Sequence, residues 1–140
     1  MGGELWVSGP IIDITLHGSS VDLPTEELQG IVDTGASVIC LDKRVALRLG
    51  LTAINRKKME VADGTVVEAT VYMAEMAIAR LGFKDWVEVH ALPMTKPSQR
   101  VLLGRSFLKN YLVTYNGPEE LFHYFKPVGA TNRHYDEFDG

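Results

Sequence analysis

The chain has 140 residues, of which 46% are hydrophobic and 23% charged, and its formal net charge at pH 7 is -4. This length accommodates one domain with a real core but not two domains of ordinary size. The composition is near the globular average, and no apolar run approaches the ~20 residues of a transmembrane helix. The weak, dispersed charge provides no basic stripe for nucleic acid and no polybasic patch for a membrane. We therefore expect one compact domain without a nucleic-acid partner or an evident membrane contact.

The N-terminus lacks the basic start and long apolar core of a signal peptide. Localisation is therefore unknown, with the cytoplasm as the default. A longer, secreted or membrane-tethered parent chain would leave no trace in this segment.

Cysteine and histidine usage gives no sign of metal chemistry. The single cysteine, Cys40, lies in an apolar run and is expected to be a buried, unreactive thiol. The histidines lack ligand spacing and are interpreted as surface or strand residues; they are His17, His90, His123 and His134. We predict no metal and no cofactor.

In chain order, alternating apolar residues predict a strand over residues 9–17. Residues 18–30 are rich in glycine, serine and acids and predict a loop with one helical turn after Pro24, followed by a strand that ends at Asp33. Residues 42–50 predict a short helix, capped by Asp42 and stopped by Gly50.

The second half of the chain predicts further strands. Residues 62–65 place Asp-Gly between β-rich flanks, a strong hairpin signal. Residues 68–82 are ambiguous, because their composition favours helix and their context favours strand. Strands are then predicted in the order 83–92, 101–103 and 111–115, with a loop at 93–98, a helical turn after Gly104 and a last strand within ELFHYFKP, residues 120–127.

These elements predict a mainly β barrel or sandwich with two short helices. We assign residues 1–128 to the domain and residues 129–140 to a polar, flexible tail.

The feature that most suggests chemistry is the stretch IVDTGASV, in which Asp33 ends an apolar strand. A carboxylate near a core must be hydrogen-bonded, paired or protonated, so Asp33 is the leading candidate for function. Taken alone, Asp33-Thr34-Gly35 also fits an ordinary tight turn.

A second motif, VLLGRSFL, gives the turn its context. Together, the apolar pair before Asp33-Thr34-Gly35-Ala36 and the later Leu102-Leu103-Gly104 resemble the retropepsins, the single-domain aspartic proteases related to retroviral proteases. The resemblance covers about residues 9–115, and the hairpin between the motifs sits where that family has its flap. It implies a closed, retropepsin-like acid protease β-barrel, with one lobe per chain.

The resemblance also implies a mechanism and a set of roles. The enzyme would be an aspartic endopeptidase that cleaves protein or peptide substrates with a water activated by two Asp33 carboxylates, one from each chain of a homodimer. Thr34, Gly35 and Ala36 would support the site, as would Leu102, Leu103 and Gly104. The flap tip, formed by Ala62, Asp63 and Gly64, would close over the substrate.

Three departures from the family pattern stand out. Ser37 occupies a position where retroviral enzymes often carry an acid that pairs with the arginine corresponding to Arg105. The flap has only one glycine at its tip. Terminal strands interleave in many family dimers, and residues 113–125 are the segment available for this here.

Two other interpretations stay open. The first is a catalytically inactive retropepsin-like module that dimerises or binds peptides, since fold does not imply activity. The second is an unrelated β-sandwich with a chance Asp-Thr-Gly turn.

Overall fold

The computed structural model describes residues 4–8, 11–18, 25–61, 63–94 and 100–125. These residues form ten strands, two short α-helices and one 3-10 turn in the following order: β1 (Glu4–Ser8), β2 (Ile11–His17), β3 (Thr25–Val32), β4 (Ile39–Asp42), α1 (Lys43–Arg48), β5 (Thr52–Glu60), β6 (Val66–Ile78), the 3-10 turn (Ala79–Leu81), β7 (Phe83–Leu92), β8 (Arg100–Leu103), α2 (Arg105–Leu108), β9 (Leu112–Asn116) and β10 (Leu121–Phe125).

Six strands form a closed barrel in the order β2-β3-β8-β4-β7-β6, which closes through the pairing of β2 with β6. Strand β5 extends this sheet beyond β6, and the pairs β3–β8 and β4–β7 are parallel. A separate sheet has the order β1-β10-β9. The predicted fold class, a mainly β closed barrel with short helices, is confirmed.

Alternation of side chains explains why these segments are strands. In β2, Ile12, Ile14 and Leu16 are buried while Asp13 is exposed. Residues 68–78 of the ambiguous segment lie in β6, where Ala74, Met76 and Ile78 are fully buried at every second position, and the segment ends in the 3-10 turn. Burial on a period of two has therefore overridden the helical propensity of alanine and methionine.

Helix α1 forms as predicted. The Asp42 carboxylate accepts a hydrogen bond of 3.0 Å from the Arg44 amide, which caps the helix. Gly50 adopts a positive φ of 61° just after the last turn, a conformation that glycine adopts without steric cost. Val45, Ala46 and Leu49 are buried against the barrel.

The prediction of a loop with a helical turn after Pro24 is wrong from residue 25 onward. Thr25–Val32 forms β3, which lies between β2 and β8. Backbone pairing with β2 on one side and β8 on the other stabilises this strand, although the local sequence favours a loop. Gly30 is buried so tightly that an added Cβ would lie 2.9 Å from Leu103 Cδ1.

Strands β7 to β10 agree with prediction to within a residue or two, whereas β1 (Glu4–Ser8) was not predicted and β5 begins earlier than expected. The hairpin of β5 and β6 and strands β7 to β10 are present. Residues 95–98 of the predicted 93–98 loop and the predicted tail at 129–140 lie outside the described residues. Within the described part of the chain, no helix has the length and apolarity needed to cross a membrane.

Candidate active site

The site is built around Asp33, which follows β3 directly and starts the turn that leads to β4. Its amide donates a hydrogen bond of 3.1 Å to the carbonyl of Leu103, at the end of β8. Val32 and Leu103 are paired in the parallel register of β3 and β8. The turn is thus anchored where two barrel strands end. Asp33 is half-buried there, while Thr34 is exposed.

The turn's own backbone orients the Asp33 carboxylate. The Gly35 amide donates to Asp33 Oδ1 at 3.0 Å, and the Ala36 amide donates to the Asp33 carbonyl at 3.2 Å. A Cβ on Gly35 would lie 3.2 Å from that same Oδ1, so a side chain would crowd the carboxylate. Among the described residues, no cation forms an ion pair with Asp33. The acid is therefore held in place without being neutralised.

Gly104 allows the chain to pass close behind the turn. A Cβ at this position would lie 2.2 Å from the Val38 carbonyl oxygen and 2.7 Å from the Ala36 carbonyl oxygen. The amides at the start of α2 use this proximity. Arg105 N donates to the Ala36 carbonyl at 2.9 Å, and Ser106 N donates to the Ser37 carbonyl at 3.0 Å. The two sequence motifs are thus joined directly by backbone hydrogen bonds.

Arg105 has a partner that the sequence did not indicate. Because Ser37 replaces the expected acid, the sequence left this guanidinium without its family partner. In the structure, Arg105 Nη1 donates to the Thr34 carbonyl at 2.7 Å. The arginine therefore braces the turn through a backbone oxygen, for which no sequence signal exists.

Leu102 and Leu103 lie on opposite faces of β8. Leu103 is fully buried in the main core. Leu102 packs against a smaller apolar group, here called the hairpin cluster: its buried members are Cys40, Ala69 and Leu92, and Val38, Met59, Val61, Val67, Met94 and Leu102 pack against them. This cluster joins the strand after the Asp33 turn to both strands of the hairpin.

The hairpin ends in a tight turn. Gly64 N donates to the Val61 carbonyl at 2.9 Å, and Val61 N donates to the Thr65 carbonyl at 2.9 Å. Gly64 has a φ of 86°, which explains the need for glycine there. Hydrogen bonding to Thr65 lowers the pKa of Asp63, so this exposed tip carries a negative charge at neutral pH. Ala62, the third predicted flap residue, lies outside the described residues.

Two buried titratable groups lie on strands next to the site. Burial, together with the charge of Asp33, raises the pKa of Cys40 to about 11, which agrees with the expected unreactive thiol. His90 is paired with Cys40 across β4 and β7 and is only 3% exposed. Burial and the charge of Lys57 lower the pKa of His90. The location of His90 in a strand was predicted. Its burial was not, because only its apolar neighbours in β7 indicate it.

A cavity of about 630 Å³ lies elsewhere, at the start of α1 and the base of the hairpin, and is lined by Lys43, Ala53, Asn55, Arg56, Thr70 and Tyr72. It includes no residue of the Asp33 turn. Among the described residues, no three acidic, histidine or cysteine side chains are grouped to hold a metal ion.

The fold has counterparts among solved structures. A retropepsin-like aspartic protease from Rickettsia conorii is similar with a TM-score of 0.56 and 21% identity, over 89% of this chain and 91% of that one. A foamy viral protease-reverse transcriptase is similar with a TM-score of 0.51 and 20% identity, over 76% of this chain and 16% of that much longer one. The barrel with its Asp-Thr-Gly turn is therefore a retropepsin-like fold.

Sequence comparison identifies the family. Residues 20–110 match the model of the "gag-polyprotein putative aspartyl protease" family. This match spans both motifs and the hairpin between them, and the chain belongs to that family. A search among curated proteins gives no significant match.

Proposed function

We propose that this protein is an aspartic endopeptidase that acts as a homodimer on peptide substrates. The observation that carries the proposal is the Asp33 carboxylate, fixed by the Gly35 amide at 3.0 Å on a turn anchored to β8 and free of a neutralising cation among the described residues. A carboxylate held in this way is suited to proton transfer, because no ion pair has to be broken first.

The chemistry requires two carboxylates around one water, and the sequence contains a single Asp-Thr-Gly. A two-fold symmetric dimer supplies the second copy of Asp33. Two adjacent carboxylates cannot both ionise readily, so the pair shares one proton. The ionised Asp33 acts as general base on the water. The protonated one polarises the scissile carbonyl and later helps to protonate the leaving nitrogen.

The remaining predicted residues serve this pair. Thr34 and Gly35 are exposed beside the carboxylate, where the partner turn and the substrate backbone would approach. Gly104 and Arg105 hold the turn from behind through the contacts described above. The hairpin would close over an extended peptide and exclude water. The hairpin cluster would couple this movement to β4, the strand that follows Asp33, because it packs both strands of the hairpin against β4.

The proposal is tested by incubating the purified chain with a mixed peptide library at mildly acidic pH. Wild type should cleave, with a bell-shaped pH dependence and inhibition by a statine-type transition-state mimic. Asp33→Asn should lower the cleavage rate by at least about a thousandfold. Asp13→Asn, a matched change at an exposed barrel position, should have no effect.

Cleavage that is unchanged in Asp33→Asn would refute the proposal. A wild-type dimer that cleaves nothing across the pH range and still binds peptides would instead identify the chain as an inactive peptide-binding module.

A further inference from the structure

Strand β5 forms one edge of the seven-stranded sheet. It pairs with β6 on one side, and among the described residues no strand pairs with its other side. Residues 52–58 of this strand are all exposed. The register with β6 is unbroken from Asn55 to Glu60, beyond a register shift between Ala53 and Asn55. Within the described part of the chain, β5 therefore presents a regular strand edge that is open to another strand.

This edge concentrates positive charge in a chain whose formal net charge is -4. Arg56, Lys57 and Lys58 are consecutive, and alternation along a strand places Arg56 and Lys58 on one face and Lys57 on the other. Glu68 of β6 lies opposite Lys58 in the register and also forms an ion pair of 3.8 Å with Arg56. Both members of this pair are mostly exposed, so the pair is weak and Arg56 can bind another carboxylate instead. Glu60, further along the same face, ends the positive stretch.

The cavity at the base of the hairpin opens beside Arg56. Its volume of about 630 Å³ lies within the range of ligand pockets, roughly 300–1,000 Å³. Lys43 of α1 and Arg56 both line it, and among the described residues Lys43 forms no ion pair. Asn55, Thr70 and Tyr72 add amide and hydroxyl groups that can donate hydrogen bonds to a carboxylate. None of the described lining residues is acidic, so the cavity suits an anionic side chain.

We propose that β5 and this cavity bind an extended acidic segment of another protein, in which acidic side chains alternate with other residues. Side chains on one face of an extended segment are roughly 6.6 Å apart, which is also the spacing of Arg56 and Lys58. One carboxylate of the segment enters the cavity between Lys43 and Arg56, and the next lies beside Lys58. The backbone of the segment pairs with the open edge of β5.

Charge determines which occupant this edge selects. Opposite charges on neighbouring strands stabilise their pairing, whereas like charges destabilise it. A second copy of β5 would place its own Arg56 and Lys58 against the same residues of the first, and lysine on an edge strand is a common protection against such pairing. An acidic strand meets no such repulsion.

Binding at this edge also affects the hairpin, because β5 is one of its two strands. Met59 of β5 packs in the hairpin cluster, which contacts the strand that follows Asp33. For the endopeptidase proposed above, the edge is an additional contact for substrates that carry an acidic segment away from the cleaved bond. This role rests on the proposed function, whereas binding of the segment does not.

The binding is tested by fluorescence anisotropy with the complete chain and two labelled peptides of equal length and composition. One peptide alternates glutamate with threonine, and in the other all the glutamates precede the threonines. The alternating peptide should bind at low ionic strength, and its affinity should fall as salt is added. The other peptide should bind roughly fivefold more weakly, because only alternation places every acid on one face.

Variants that remove one charge at a time locate the site. Arg56→Gln and Lys43→Gln should each weaken binding of the alternating peptide roughly fivefold, because each removes one cation of the cavity. Lys57→Gln is the matched control. It removes the same charge from the next position of β5, on the opposite face, and should change the affinity by less than about twofold.

The outcomes separate this surface from the function. Equal binding of the two peptides, or equal losses in Arg56→Gln and Lys57→Gln, would overturn the proposal, and so would tighter binding of a thymidine oligonucleotide than of the alternating peptide. A wild-type chain that binds no peptide would also overturn it. Binding that then appears in the double variant Glu137→Gln/Asp139→Asn would identify residues 129–140 of the same chain as the occupant. Face-specific binding by a chain that cleaves no peptide would leave the acidic-segment site standing and refute the endopeptidase.

Discussion

Replacing Gly104 by alanine tests the claim that the two motifs are locked together. The new Cβ would lie 2.2 Å from the Val38 carbonyl oxygen, 2.7 Å from the Ala36 carbonyl oxygen and 2.9 Å from the Val38 carbonyl carbon. Nonbonded heavy atoms normally rest at about 3.5 Å, so the closest contact must open by about 1 Å. All three atoms belong to the backbone, and therefore no side-chain rotation can relieve the clash.

The expected cost has two parts. Forcing one extra carbon into a packed site costs about 1–3 kcal/mol. Moving the turn away from α2 also weakens the hydrogen bonds from Arg105 N to the Ala36 carbonyl and from Ser106 N to the Ser37 carbonyl, at about 1 kcal/mol each. We therefore expect Gly104→Ala to lower the free energy of unfolding by about 3–5 kcal/mol, a large share of a typical domain's stability.

The assay is urea unfolding of wild type and variant at one protein concentration, because dimerisation would couple to stability. Gly117→Ala is the control, since its Cβ would meet nothing closer than Tyr115 Cε2 at 3.7 Å; it should change stability by less than about 1 kcal/mol. A Gly104→Ala variant whose free energy of unfolding lies within about 1 kcal/mol of the wild-type value would show that the turn and α2 are not closely packed.

Three further predictions concern titratable groups near the site. The raised pKa of Cys40 should make its alkylation at pH 8 roughly a hundredfold slower in the folded chain than in urea. Asp33→Asn should accelerate the folded-state reaction by removing a nearby negative charge, and equal rates in the folded chain and in urea would contradict this burial. The pKa of His90 is lowered in the folded chain, so the unfolded chain takes up this proton first, and the unfolding free energy should fall as pH drops below 6.5. His90→Leu should remove this pH dependence of the unfolding free energy. If the dependence is the same in the variant as in wild type, His90 is not buried in its neutral form. Asp42→Ala removes the cap of α1 and should cost about 1–2 kcal/mol in urea unfolding, whereas no loss would mean that the hydrogen bond to the Arg44 amide contributes nothing.

Local signals explain which elements the sequence could predict. The cap at Asp42 and the stop at Gly50 define α1 within one short segment, and the glycine at position 64 marks the hairpin. Strict alternation predicts β7 to its exact ends, Phe83–Leu92. Each of these features depends on residues that are close together in the sequence, and a local sequence pattern contains this information.

The missed features depend on residues far apart in the chain. Strand β3 carries Glu26 and Glu27 after a proline, and it is a strand because β2 and β8 supply hydrogen bonds on both sides. The contact between Arg105 and the Thr34 carbonyl ends on a backbone oxygen, which every residue has. The pairing of β1 with β10 joins opposite ends of the described chain. Long-range pairing of this kind overrides local propensity.

The candidate site was predictable only in part, for the same reason. The two motifs placed Asp33 and Gly104 in one site, and the structure joins them through the hydrogen bonds at Ala36 and Ser37. The roles assigned to these residues, and the division at residue 128, stay predictions. Nothing in the spacing indicated that β10 would lie between β1 and β9 in a three-stranded sheet of the described residues.

The central claim, one active site made from two copies of Asp33, is tested most directly by mixed dimers. Wild type and Asp33→Asn chains are unfolded together in equal amounts and refolded, and cleavage per total chain is measured against wild type alone. A shared pair predicts about a quarter of the wild-type rate, because only wild-type homodimers are active. A rate of about a half would show that each chain works with its own Asp33 and would contradict the account.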